Sequence, residues 1–139
     1  IYAKSVPMPM FVGLRKRLEL LKSKPELKAK LWENINALQS GLREKGFDIG
    51  TTTSPVTPVL LKGGEVEAGK MIFDLRENYG IFCSAVVYPV VPKGVLMLRL
   101  IPTAAHSLED VAETIAAFEA VDAKLKSGAY NQVEFPSVV

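Results

Sequence analysis

Arg99 has the clearest chemical potential in this sequence. It is the one charge in the run Val95, Leu96, Met97, Leu98, Arg99, Leu100, Ile101, and a cation among aliphatic side chains is costly to bury unless an anion meets it. Its planar guanidinium suits a carboxylate or phosphate, which it grips with two hydrogen bonds. Two readings stand open: a clamp for an anionic ligand, or an arginine at a sheet edge that reaches water or a structural acid.

The other reactive side chains form no catalytic constellation. His106 is the only histidine and is followed at once by Ser107, so local capping or packing is its expected work rather than proton transfer. Cys83 is the only cysteine, which rules out an intrachain disulfide and, with a single histidine, a Cys/His metal cluster. Set among Ile81, Phe82 and Ala85, its thiol is expected to behave as a small hydrophobe. Gly63 and Gly64 make a turn without the strand-to-helix fingerprint of a phosphate loop.

The elements that must position Arg99 follow from periodicity. Pro7 and Pro9 keep the first residues extended. Phe11, Leu14, Leu18 and Leu21 recur at helical spacing and predict a helix over 10–21. Pro25 opens a second helix whose stripe is Leu27, Leu31, Ile35, Leu38 and Leu42, with Trp32 beside it and Gly46 as a left-handed stop. A strand is expected over 57–61, a helix over 66–78 with Ala68, Ile72, Phe73 and Leu75 inward and Gly80 as its stop, and a strand over 81–87. The 88–94 loop leads to a strand over 95–101, where Val95, Met97, Arg99 and Ile101 share one face and Leu96, Leu98 and Leu100 the other. Ser107, with Asp110 three residues on, caps a last helix whose face is Val111, Ile115, Phe118, Val121 and Leu125 and whose end is Gly128.

This order predicts an α+β fold: a small, mostly antiparallel sheet of about three strands covered by helices, with a helical lead-in. The expected division is a lead-in over 1–24, a small domain over 25–128 and a tail over 129–139. At 139 residues, 48% hydrophobic and 23% charged, the chain suits one soluble globular core. No apolar run approaches a membrane span. A first residue of Ile1, without the basic-then-apolar order of a secretory signal, reads as a piece of something longer, and the single cysteine fits a reducing, cytoplasmic setting. Residues 1–46 hold ten Lys/Arg against four Asp/Glu, a net +6, and the rest is −4. These cations interleave with apolar residues as on any solvated helix face, with no aromatic platform among them, so nucleic acid is not an expected partner.

The wording from Tyr88 onward is more specific. YPVVPKG beginning at Tyr88, then Leu98-Arg99-Leu100 and Thr103-Ala-Ala-His106, resemble the carboxy-terminal domain of the pyridoxal-phosphate-dependent α-oxoamine synthases. Ser5-Val6-Pro7 is similar to the family's lead-in from the large domain, and Gly80-Ile81-Phe82 to its strand entry. The resemblance covers nearly the whole chain to about Lys126. It implies a fold-type I small domain and a parent enzyme, a homodimer, that joins an amino acid to an acyl-CoA with loss of carbon dioxide, using pyridoxal phosphate as electron sink.

By that resemblance Arg99 binds the amino-acid carboxylate, Tyr88 and Pro89 line the substrate mouth, and Ser5 lies near a phosphate held mainly by the partner subunit. The family's cofactor lysine belongs to the large domain, and Lys93 does not match it. The chain alone is therefore expected to bind no cofactor and to be inactive. The wording leans to serine palmitoyltransferase, with glycine C-acetyltransferase and 8-amino-7-oxononanoate synthase as alternatives. Some serine-using members carry an arginine just before a Pro-Pro pair in this loop; here Val87-Tyr88-Pro89 stands instead, which puts their second carboxylate contact in doubt. The reading from another class is a free-standing module that binds a small carboxylate or a partner.

Overall fold

A computed structural model describes residues 5–131. Four helices and three strands follow one another as α1 (Met8–Ser23), α2 (Pro25–Glu44), β1 (Thr57–Lys62), α3 (Glu65–Tyr79), β2 (Ser84–Val86), β3 (Val95–Leu100) and α4 (Leu108–Lys126), then a short 3-10 turn, Ala129–Asn131. The expected α+β architecture is therefore present. The first four residues of the lead-in and the tail beyond residue 131 lie outside the described residues.

The strands form one antiparallel sheet in the order β1-β3-β2, with β3 central. Alternation along β3 decides which face is covered. Leu96, Leu98 and Leu100 are buried with Val59 of β1 against Leu38 and Leu42 of α2, Met71 and Leu75 of α3, and Phe118 and Val121 of α4. Phe47 meets Phe118 edge-on, ring centroids 6.1 Å apart, a favoured aromatic geometry. Among the described residues, α2, α3 and α4 cover this side of the sheet.

The helix ends are built as the residue types dictate. Ser107 Oγ accepts from the Asp110 amide at 3.1 Å, and Asp110 Oδ2 accepts from the Ser107 amide at 2.7 Å, the reciprocal capping box expected at the start of α4. α3 stops at Gly80, whose φ of 67° lies in the left-handed region that favours glycine. The lower half of α2 and all of α1 are another matter. No residue of α1 is buried, and Phe11, Leu18 and Leu21 are all exposed, as is Leu27 at the start of the α2 stripe.

Two expectations need correction. Phe73 was expected inward; it is 48% exposed, and Asp74 and Met71 take the buried positions of α3. That happens because Asp74 finds three hydrogen-bonding partners, which relieves the cost of burying a polar group. The strand expected over 81–87 forms ladder pairs only at Ser84–Val86, leaving Cys83 buried just ahead of it. Arg99 stands on the face of β3 opposite the core and is exposed, as either of its two sequence readings allows.

Candidate functional site

The site is a row across the open face. In the β1-β3-β2 register Arg99 lies opposite Pro58 on one side and Ser84 on the other, and side chains directly opposite in an antiparallel pair project from the same face. Leu60, Met97 and Val86 form the next row, and Lys62 and Val95 follow on the β1–β3 pair. Most of this surface is aliphatic, with Arg99 toward one end and Lys62 at the other. Two residues beyond Ser84 and Arg99 come Phe82 and Ile101, 84% and 60% exposed.

Arg99 is held without being neutralised. Its Nε donates to Ser84 Oγ at 3.1 Å. No carboxylate of the described residues pairs with it; their ion pairs engage other cations. Of the two readings left open by the sequence, a structural acid is thus not what Arg99 meets within the described chain. The terminal Nη groups stay available for an oxyanion, a task suited to their fork geometry.

The segment following β3 is fixed from behind. Asn34 of α2, buried, donates to the carbonyls of Thr103 at 2.9 Å and His106 at 2.8 Å. His106 Nδ1 in turn accepts from the Thr103 amide at 3.0 Å, so this histidine closes its own turn. Asn34 was missed in the sequence because it sits one residue off the Leu31, Ile35, Leu38 stripe; its only signal was an amide next to a core position. This turn, Leu38, Gly80, Phe82 and the start of α4 line an open cleft of about 340 Å³. There the amide and hydroxyl of Ser107 hold Asp110 below the ordinary carboxylate range.

Tyr88 and Pro89 lie in the β2–β3 connection, at the far end of β3 from Arg99, joined by a cis peptide bond and both exposed. Lys93 Nζ stands 5.0 Å from the centre of the Tyr88 ring, a cation–π contact within that loop. Ser5 is exposed ahead of α1, and no hydrogen bond or ion pair among the described residues joins it to the Arg99 row. The structure thus brings Ser84, Pro58 and Arg99 together and leaves Tyr88 and Pro89 at the other end of β3. Burial pushes the Cys83 thiol up to about 11, which makes it inert rather than a further site residue.

Comparison with known proteins then places the chain. No family model matches it. It is 54% identical over 133 residues to a cysteate-C-fatty acyltransferase of Capnocytophaga ochracea, covering 96% of this chain and 32% of that protein. It is 37% identical over 125 residues to an 8-amino-7-oxononanoate synthase of Symbiobacterium thermophilum, 90% of this chain and 31% of the other. The solved serine palmitoyltransferase of Sphingomonas wittichii superposes with a TM-score of 0.79 at 27% identity, over 93% of this chain and 32% of that one. The chain belongs to the α-oxoamine synthase family. Serine palmitoyltransferase from S. paucimobilis, solved with pyridoxal phosphate and myriocin, gives the same superposition, a TM-score of 0.79 at 26% identity over 91% of this chain and 32% of that one. This chain spans about a third of these relatives and corresponds to their carboxy-terminal domain.

Proposed function

We propose that this chain is the substrate-clamping domain, over 25–128 with 1–24 as its lead-in, of a homodimeric, cytoplasmic enzyme that acylates the α-carbon of an amino acid from an acyl-CoA with loss of carbon dioxide. The observation that carries this is Arg99: an exposed guanidinium on an otherwise mostly aliphatic sheet face, fixed through Nε by a neutral hydroxyl and with no carboxylate partner among the described residues. Its free Nη pair binds the α-carboxylate of the amino acid and so fixes which bond at the α-carbon faces the reacting partner, a positioning role. Tyr88 and Pro89 contribute the rim of the substrate mouth, and Ser5 reaches a phosphate on the partner subunit.

The amino acid is better read as cysteate than as serine. The support is the 54% identity to a protein named for cysteate, against 25–28% for the serine palmitoyltransferase structures. Val87-Tyr88-Pro89 also lacks the loop arginine of some serine-using members.

Pyridoxal phosphate, when bound to the parent enzyme, supplies the electron sink for the decarboxylative step. The described residues of this chain do not fit it as a site. None of their lysines is buried, whereas a lysine that serves as an imine-forming amine is activated by burial or a neighbouring cation. Arg99 acts on the amino acid; the cofactor amine lies elsewhere in the parent, and the 139-residue chain alone is inactive on this reading.

The test is amino-acid binding to the full-length enzyme. Arg99→Ala loses two charge-assisted hydrogen bonds, each worth about 1.5–3 kcal/mol, so affinity for the amino acid falls by on the order of 100-fold or more. Arg99→Lys keeps a point charge without the fork and recovers part of it. Unchanged affinity in Arg99→Ala would refute the clamp and favour a free-standing binding module. Competition between L-cysteate, L-serine and glycine decides the amino acid.

A further inference from the structure

We infer that Ser84 is a positioning residue for Arg99, selecting the edge of the guanidinium that meets the amino-acid carboxylate; this rests on the clamp reading above. A guanidinium offers a carboxylate two productive edges, one formed by Nε with an Nη and one by the two Nη groups. Ser84 stands directly opposite Arg99 in the β2–β3 pair, and its Oγ accepts from Nε at 3.1 Å. The Nε edge is therefore occupied by protein. The Nη edge is left for the ligand.

The residue type matters as much as the place. A hydroxyl can accept from Nε and carries no charge, so it fixes the long arginine side chain without cancelling the charge the ligand needs. A carboxylate in the same position would pair with the guanidinium and compete with substrate. An alanine would leave Arg99 to sample rotamers, and the ordering would then fall to the substrate, weakening its binding. β2 is only three residues long, and Ser84 is its first. Its hydrogen bond to Arg99 thus joins the edge strand to the central one through side chains on the ligand face.

The experiment is steady-state kinetics of the full-length enzyme, with both substrates varied, on Ser84→Ala, Ser84→Thr, Ser84→Asp, Arg99→Ala and the Ser84→Ala/Arg99→Ala double variant. Ser84→Ala is expected to raise KM for the amino acid about tenfold, the factor one hydrogen bond to a charged group is worth, with KM for the acyl-CoA unchanged. Ser84→Thr, which keeps the hydroxyl, restores KM to within about twofold, and Ser84→Asp weakens amino-acid binding nearly as far as Arg99→Ala. The double variant is no worse than Arg99→Ala alone, because Ser84 acts only through Arg99.

Additive losses in the double variant, or equal losses for both substrates in Ser84→Ala, would overturn the inference by marking a general structural role. A Ser84→Ala enzyme indistinguishable from the parent while Arg99→Ala has lost its amino-acid affinity overturns the inference and leaves the clamp standing. An Arg99→Ala enzyme with full affinity overturns both.

Discussion

Asn34 on α2 donates to the carbonyl of Thr103 across 69 residues of sequence, at 2.9 Å. The second amide hydrogen goes to His106 at 2.8 Å, so one buried side chain ties the helix to both sides of the turn that follows the Arg99 strand. The two partners are carbonyls, so nitrogen must face them. Asn34→Ala leaves both carbonyls without this donor and is expected to cost about 2–4 kcal/mol. Asn34→Asp places an acceptor against two acceptors and is expected to cost more. Thermal denaturation checks this: a midpoint for Asn34→Ala equal to the parent's would show that the turn is held by something else.

Asp74 carries the clearest pH dependence. Burial pushes its carboxyl up, but hydrogen bonds from Lys124, Tyr130 and Asn78, with the Lys124 charge, outweigh that and hold it below the ordinary value of 3.8. The depressed folded value means that the unfolded chain binds the proton first as pH falls. The stabilisation is therefore fully present above the ordinary carboxylate range and is lost as pH falls through the depressed value. Asp74→Asn is expected to be about 2–4 kcal/mol less stable at neutral pH, with the two stability curves converging below about pH 4. Parallel curves across that range would show that Asp74 is not the linked group.

The contrast between Leu98 and Arg99 shows how much could be read in advance. A short, continuous aliphatic run after a turn marks the strand, and once it is a strand the alternation of the backbone sets its two faces. Ser107 and Asp110 likewise announce their helix by local chemistry, and α4 begins where they require. Whether the Arg99 face is covered was not legible, since that depends on what packs against the sheet rather than on the strand. Among the described residues, α2, α3 and α4 pack their core residues on the Leu98 side. Ser84 was equally hidden: only the antiparallel register puts it against Arg99, fifteen residues away. Phe73 failed for a related reason, as helical spacing alone could not show that Asp74 would gather enough partners to be buried in its place.

Gly41 of α2 faces α4 so closely that a Cβ there would fall on Ile115 Cδ1. Alanine gains about 0.8–1 kcal/mol of helix propensity over glycine, and the obstruction is the far end of a flexible side chain that is only half-buried. The two effects are of similar size, so Gly41→Ala is expected to fall within about 1 kcal/mol of the parent. Gly41→Val adds two further methyls with restricted χ1, and is expected to destabilise by about 1–3 kcal/mol. Denaturant midpoints of the two variants test this; a valine variant as stable as the alanine one would mean that the α2–α4 contact is looser than the structure has it.

Cys83 tests whether the strand entry ahead of Ser84 opens in the native protein. Its side chain is buried, and burial pushes the thiol up to about 11, so at pH 7 only about one part in ten thousand is thiolate, the species that reacts. A small alkylating reagent is expected to modify Cys83 slowly in the folded enzyme and at the rate of a free thiol after denaturation. If β2 is an edge that frays, labelling instead proceeds through local opening, faster than global unfolding allows. Because Ser84 follows Cys83 directly, such opening would also release Arg99 from its hydrogen bond. Bound amino acid engages Arg99 only in the ordered arrangement, so on the clamp reading saturating amino acid slows the labelling. Protection by amino acid in the parent enzyme that disappears in Ser84→Ala would tie the order of this strand to the presentation of Arg99, whereas labelling indifferent to the amino acid in both would show that the two are uncoupled.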